Sequence, residues 1–354
     1  MIRIVARHSL DASYYVADRS LELDGVRHGP PGHWIRGSGP IDGSVLERSW
    51  RTSPRATIVG YDLIVAAPRT VSILLALGGT DEQRQVVADH RESVRAAMGY
   101  LEDRALVVKS KMMGEGIEQR GRWSSIVSFT HGVNRIGEPH LHDHVLVGAL
   151  PHHRSRVLSR QALSAHLLAA DAIYRAEIRF RINQYGVRRA WRTLGGVDIV
   201  HGVDEGHRAL WPGDRAWGSQ KESWTRGAIL EKWSTDLLRF ERIQMREPPT
   251  RTASIDEQIF GAHFEGPISV ARRDLVAASA NASSSGLLRS SIEAFVDTHY
   301  PALVADRGLT ERRIGVAEAR QSALVRARGP RPLEAEYVTR WRQRERPRSI
   351  ERSR

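Results

Sequence analysis

Apolar residues recur along the chain with two periods, and the changes between them predict its elements. Met1–Ala6 is a short apolar run that reads as a strand. Ser9 is placed to cap a helix starting at Leu10 and running through Val16. Gly25–Gly43 is rich in Gly and Pro and reads as loop, whereas Ala56–Ala66 has the β-branched content of a strand. Pro68 opens a helix through Val71–Leu77 that stops at Gly78-Gly79, with Pro at the first turn and Gly past the last. A long helical pattern follows over Asp81–Leu101. Arg122–Thr130 and Leu141–Leu150 are strand-like around a turn centred on Gly137, which suggests an antiparallel pair. Leu163, Leu167, Ala170, Tyr174, Ile178 and Ile182 return at three-to-four spacing, so Gln161–Tyr185 is an amphipathic helix closed by Gly186. Gly195–Gly227 is less regular, and helical patterns resume at Gly227–Glu241, Ser269–Ala280 and Leu288–Val296, with Ala280–Gly286 as a flexible joint. Mixed strands and helices without a βαβ rhythm point to α+β.

Composition narrows the chemistry. With 354 residues, 41% of them hydrophobic, the chain can build a real core and about two domains. Cysteine is absent, which excludes disulfide scaffolds, thiolate metal sites and cysteine nucleophiles. No apolar run has the length of a membrane span and Met1–Asp11 is too broken for a signal peptide, so a cytoplasmic protein without membrane insertion is expected. The net charge is +12, carried almost wholly by arginine. GC-rich coding produces such a bias, but arginine is also the residue that pairs bidentately with phosphate. Asp306–Arg354 holds 14 Arg against 7 acidic residues. Its end, Arg340–Arg354, alternates arginine with polar residues and reads as a flexible basic tail for nucleic-acid phosphates, Arg340, Arg342 and Arg344 among its contacts.

Six of the 15 histidines fall between His131 and His153. His142 and His144 flank Asp143 on an apolar strand, so both project from one face while Asp143 points away. His131 ends the preceding strand, and the turn returns it alongside the pair. Three neutral imidazoles on one surface suit a divalent metal with positions left open. His140 points to the same face as a further ligand or an outer residue. Asp62 lies mid-strand in Gly60-Tyr61-Asp62-Leu63-Ile64-Val65, where a lone carboxylate is costly unless paired. A metal-bound histidine held in its tautomer is one such partner, and a solvent-facing strand end is the other reading. Tyr14-Tyr15 is either core packing or, beside a metal, a nucleophile for a phosphodiester.

These motifs, in this order, resemble the relaxase domain of MobF-class conjugative relaxases (the TrwC/TraI type) of the HUH endonuclease superfamily. Ala12-Ser13-Tyr14-Tyr15 resembles the family's tyrosine motif, and Gly32-His33-Trp34-Ile35-Arg36-Gly37 its Gly-x-Trp-x-Gly-Arg-Gly segment. Tyr61-Asp62-Leu63 through Ala67-Pro68-Arg69-Thr70-Val71-Ser72 is similar to its Asp-Leu block. Thr130-His131 with Glu138-Pro139-His140-Leu141-His142-Asp143-His144 matches its three-histidine motif, and Ile173–Arg179 the helix that follows. The resemblance is good over Met1–Val203 and weak to about Arg320. It implies a two-layer α+β fold, with a central antiparallel sheet, helices on one face and a helical C-terminal extension. Domains are expected at 1–235 (relaxase), 236–305 (helical extension) and 306–354 (Arg-rich tail).

The implied activity is metal-dependent, site- and strand-specific nicking of DNA at an origin of transfer. Tyr14 would be the nucleophile with Tyr15 beside it, Asp62 would orient an imidazole, and His131, His142 and His144 would hold Mg²⁺ or Mn²⁺, with Zn²⁺ as another candidate. Arg69 is a candidate DNA contact. Single-stranded origin DNA is the implied partner, with a helicase, accessory and coupling proteins acting in trans. The departures are specific. No second tyrosine pair follows in Val16–Asp24, Asp143 replaces Thr between the paired histidines, and no Walker-type phosphate loop is present in the chain. A rolling-circle initiator and a non-catalytic DNA-binding relic are the alternatives; the N-terminal position of Tyr14 speaks against the first.

Overall fold

The computed structural model describes residues 2–8, 15, 21, 32–37, 41, 58, 60–112, 115–123, 126–148, 157–158, 160–184, 191–194, 197–200, 203, 225–238, 271–283 and 286–306. The chain divides into two units, Met1–Phe264 with Arg272–Tyr300, and Glu265–Ala271 with Pro301–Arg354. The first holds the architecture described below as far as Tyr300.

Five strands build its central sheet: β1 (Ile2–Arg7), β2 (Gly32–Arg36), β3 (Gly60–Ala66), and, after two helices and two further strands, β6 (Ile126–Val133) and β7 (Pro139–Gly148). The order is β1-β3-β7-β6-β2 and every pairing is antiparallel. The central strands are apolar because both of their faces are covered: all eight residues of β6 are buried. β4 (Val107–Met112) and β5 (Glu115–Arg120) form a second small sheet with β8 (Val157–Leu158), and β9 (Trp191–Leu194) pairs with β10 (Val197–Val200).

The helices follow the sequence pattern closely. α1 (Arg69–Leu77) starts after Pro68 and ends at Gly78. α2 (Thr80–Ala105) opens on Gly79, whose amide donates to Glu82 Oε2 at 3.0 Å. α3 (Arg160–Asn183) lies along α2 and carries the buried stripe Leu163, Ala170, Tyr174, Ile178 and Ile182. α4 (Arg226–Leu238), α5 (Arg272–Ala282) and α6 (Arg289–Asp306) complete the set. Among the described residues, no helix is long and apolar enough to cross a membrane.

Two stretches read as loop or joint differ from the sequence reading. The Gly/Pro-rich stretch expected to be loop contains β2, because its backbone finds a partner in β6. Gly32 is needed there, since a Cβ would lie 2.8 Å from the Phe129 ring. The stretch read as a flexible joint is packed at its described ends. Ser283 is buried, and Gly286, at φ +83°, lies so close to α3 that a Cβ would come within 2.2 Å of the Phe180 amide nitrogen.

Candidate metal centre

His131 sits directly opposite His142 in the β6–β7 ladder, and strand alternation places His144 on the same face. The three rings form a nearly equilateral triangle, with centroids 5.2 Å (131–142), 5.1 Å (131–144) and 5.2 Å (142–144) apart. One ligand atom from each lies within 4.8 Å of the other two.

What holds the rings is a set of acceptors behind them. His142 donates from Nδ1 to the His140 carbonyl at 2.8 Å. His144 donates from Nδ1 to the Asp62 carboxylate, 3.0 and 3.1 Å from its two oxygens. Carbonyls and carboxylates only accept, so in these two rings the proton is on Nδ1 and the lone pair on Nε2. His131 engages the Tyr15 carbonyl with Nε2 at 3.2 Å. The Asp62 carboxylate, fully buried, also accepts from the Arg7 guanidinium and from the Tyr15 hydroxyl at 3.2 Å. Burial alone would raise its pKa; the hydrogen bonds and charges of His144 and Arg7 outweigh this and hold the carboxyl below its ordinary range. Burial, aided by the neighbouring imidazoles, pushes His142 well below an ordinary histidine, and burial with Arg69 beside it lowers His140 to about 4. Neutral imidazoles with an acceptor on one nitrogen are the form that ligates a divalent ion, so the donor set fits a metal.

The sequence candidates separate as follows. His131, His142, His144, Asp62 and Tyr15 come together on one face of the sheet. Tyr15 is helical and buried, its ring 5.5 Å from Phe129 and 5.3 Å from His144. Tyr14 lies outside the described residues, as do Arg340, Arg342 and Arg344. His140 stacks on His142 at 4.7 Å and serves it through its carbonyl, while its ring is not part of the converging triad. Arg69 donates to the Pro139 carbonyl at 2.5 Å and to Glu138 Oε2 at 3.1 Å, which ties it to the turn joining the two histidine strands. α4 reaches the same turn, where Trp233 Nε1 donates to the Gly137 carbonyl at 2.9 Å. Asp143 points to the opposite face, bonded to His90 and Ser128. Sequence reasoning missed Arg7; only the β1–β3 pairing, which sets Arg7 opposite Gly60, brings it to Asp62.

Comparison with known proteins agrees with this geometry. The TrwC relaxase family model matches residues 16–211. The multifunctional conjugation protein TraI of Escherichia coli is 28% identical over 140 residues, 36% of this chain and 8% of that protein. TraI from strain K12 is 27% identical over 158 residues, 41% of this chain and 9% of its own length. The chain thus spans less than a tenth of these curated relatives. Among solved structures, conjugative relaxase TrwC in a metal-free complex with oriT DNA superposes with a TM-score of 0.54 at 16% identity, covering 68% of this chain and 98% of that one. Its copper-bound complex gives 0.55 at 17% identity with the same coverage. These likenesses establish the shared α+β fold.

Proposed function

Because this chain belongs to the TrwC relaxase family, we propose that it nicks one DNA strand at an origin of transfer by tyrosine transesterification, as a step in conjugative plasmid transfer in the cytoplasm. The observation that carries the reading is the contact of Tyr15 with the histidine triad and its carboxylate. Tyr15 touches the cluster twice, by its carbonyl to His131 and by its hydroxyl to Asp62.

Tyr15 is buried, which keeps its hydroxyl away from an incoming strand, and that hydroxyl is engaged in supporting Asp62. Its neighbour Tyr14 is the nucleophile in this proposal. The phenolic oxygen of Tyr14 forms the bond to phosphorus, the bond to the 3′ oxygen breaks, and the phenolic proton ends on the released 3′-hydroxyl. The product is a 5′-phosphotyrosine. His131, His142 and His144 would hold Mg²⁺ or Mn²⁺, with Zn²⁺ as the third candidate; such an ion supplies Lewis acidity toward the phosphoryl oxygens. Asp62 keeps the His144 lone pair on Nε2, and Arg7 and Tyr15 keep Asp62 in place. Arg69 and the Arg340, Arg342 and Arg344 tail neutralise strand phosphates. Unwinding comes from a helicase acting in trans, alongside accessory and coupling proteins.

The test is a covalent adduct on denaturing gels with an oligonucleotide carrying the cognate nick site. Wild type with Mn²⁺ gives the adduct; Tyr14→Phe gives none and still binds the strand. Equal adduct from Tyr14→Phe refutes the assignment, and adduct lost only with Tyr15→Phe moves the role to Tyr15. Binding without any adduct from wild type identifies a non-catalytic relic.

A further inference from the structure

The residue between the two paired histidines is itself built into a polar network, on the side of the sheet away from the metal centre. Asp143 is completely buried. Its Oδ1 accepts from His90 Nε2 at 3.1 Å and its Oδ2 from the Ser128 hydroxyl at 2.6 Å. His90, on α2, is also completely buried and pairs through Nδ1 with the Tyr174 hydroxyl of α3 at 2.7 Å. A buried carboxylate is expensive unless its acceptors are filled, and here each oxygen has a donor.

The neighbouring strand is held in the same way. Thr130 pairs with Asp143 across the β6–β7 ladder and precedes His131. Its hydroxyl accepts from Arg91 Nε at 3.0 Å. His90 and Arg91 are consecutive on α2, so one turn of one helix grips both histidine strands from behind. The grip on β7 acts at the most sensitive point. The peptide groups on either side of the Asp143 Cα belong to His142 and His144, so a fixed Asp143 side chain sets the direction of both ligand side chains. On β3 the side chains that face the same way at the level of the triad, Leu63 and Val65, are apolar and buried.

We propose that Asp143 is a positioning residue for the metal-binding histidines: tied behind the sheet to His90 and Ser128, it fixes the stretch of β7 from which His142 and His144 project. The inference rests on the metal reading of the triad and not on Tyr14 or on cleavage.

The test measures Mn²⁺ affinity by calorimetry and melting temperature without metal, side by side. Asp143→Ala weakens Mn²⁺ binding about tenfold, the low end of what lost support behind a ligand costs. Asp143→Asn keeps the shape and, with one donor reversed, both hydrogen bonds, and so recovers most of the affinity. Val94→Ala, a cavity in the apolar part of α2, lowers the melting temperature and leaves Mn²⁺ affinity unchanged. If Asp143→Ala does not fold, Ser128→Ala carries the decision, with roughly two- to threefold weaker Mn²⁺. Wild-type affinity in a folded Asp143→Ala overturns the proposal, as does wild-type affinity in Ser128→Ala where the alanine variant is unfolded. Asp143→Asn as weak as the alanine also overturns it, since charge rather than placement would then matter. So does Val94→Ala losing affinity in step with its stability. A wild-type chain that binds no Mn²⁺ refutes the metal reading and this inference together, whereas loss of cleavage alone touches only the proposed function.

Discussion

The two faces of β7 carry polar groups of similar kinds and use them differently. On one face His142 and His144 join His131, and each ring spends one nitrogen on an acceptor behind it. That leaves the centre of the triangle lined by imidazoles, whose chemistry is completed by a cation. On the other face Asp143, His90, Ser128 and Tyr174 complete one another: both oxygens of Asp143 and both ring nitrogens of His90 have partners inside the protein. Both faces bury a depressed carboxyl. Burial opposes ionisation of Asp143 as it does of Asp62, but His90, His33 and the Ser128 hydroxyl hold Asp143 well below the usual range. The difference lies in what is left over. A network whose groups pair with one another adds stability and fixes geometry, whereas neutral imidazoles whose remaining nitrogens converge offer a place for a ligand.

The sharpest way to break this division is to remove one imidazole from the metal face. His142→Ala should abolish measurable Mn²⁺ binding in calorimetry, because two ligands no longer enclose an ion. The metal-free chain should keep its melting temperature within a few degrees, because His142 contributes a desolvated ring held by a single carbonyl hydrogen bond. Unchanged Mn²⁺ binding in His142→Ala would dissolve the contrast, since the triad would then be only another internal network.

Acid should expose the same contrast with a smaller effect. His142 and His140 have folded-state pKa values below their unfolded value of about 6.5, as does His33, which burial, with Arg91 and Arg95 nearby, lowers to about 4. Below about pH 6.5 the unfolded chain therefore binds protons that the folded chain refuses, and stability falls as pH falls toward 4. Each such group contributes a slope of about 1.4 kcal/mol per pH unit. The carboxyls work in the other window: Asp62 and Asp143 are depressed, so their contribution is present above about pH 4 and is lost only below it. Denaturant titrations of the metal-free chain between pH 7 and pH 5 should show the decline, shallower in His142→Ala. Stability independent of pH over that range would mean that the imidazoles are not desolvated in solution.

The metal face was far more legible in the sequence than the helix face, for a physical reason. His142 and His144 share a face by the two-residue period of a strand, and the Gly137 turn returns His131 to them; both are local rules. Asp62 stood out because a carboxylate is misplaced in Tyr61–Val65. Arg7 did not, because its partner is 55 residues away and only sheet pairing joins them. His90 lies on the buried stripe of α2 with Val86, Val94 and Met98, so its burial could be read, but its partners on β7 and α3 could not. β4 and β5 escaped notice because Lys109, Ser110 and Lys111 interrupt the apolar run. The Ala280–Gly286 stretch differs from the reading at its described ends because small residues mark both loose joints and close approaches, and here Leu287 donates to the Ala176 carbonyl of α3 at 3.2 Å.

The smallest effect tests how far the helix-face network reaches. Tyr174→Phe removes one hydroxyl, 2.7 Å from His90 Nδ1, and leaves the ring and its packing in place. The His90–Asp143 bond survives, because it uses the other ring nitrogen. A buried hydrogen bond of this kind contributes about 1 kcal/mol, more if the group left behind finds no substitute. In a domain of this size that lowers the melting temperature by about 2–4 °C. Mn²⁺ affinity should stay within twofold, because the tyrosine is two links from the strand that carries the ligands. A tenfold loss of affinity at an unchanged melting temperature would break the comparison from the other side. The two faces would then be one continuous device running from α3 to the histidines, rather than a ligand site backed by a self-contained anchor.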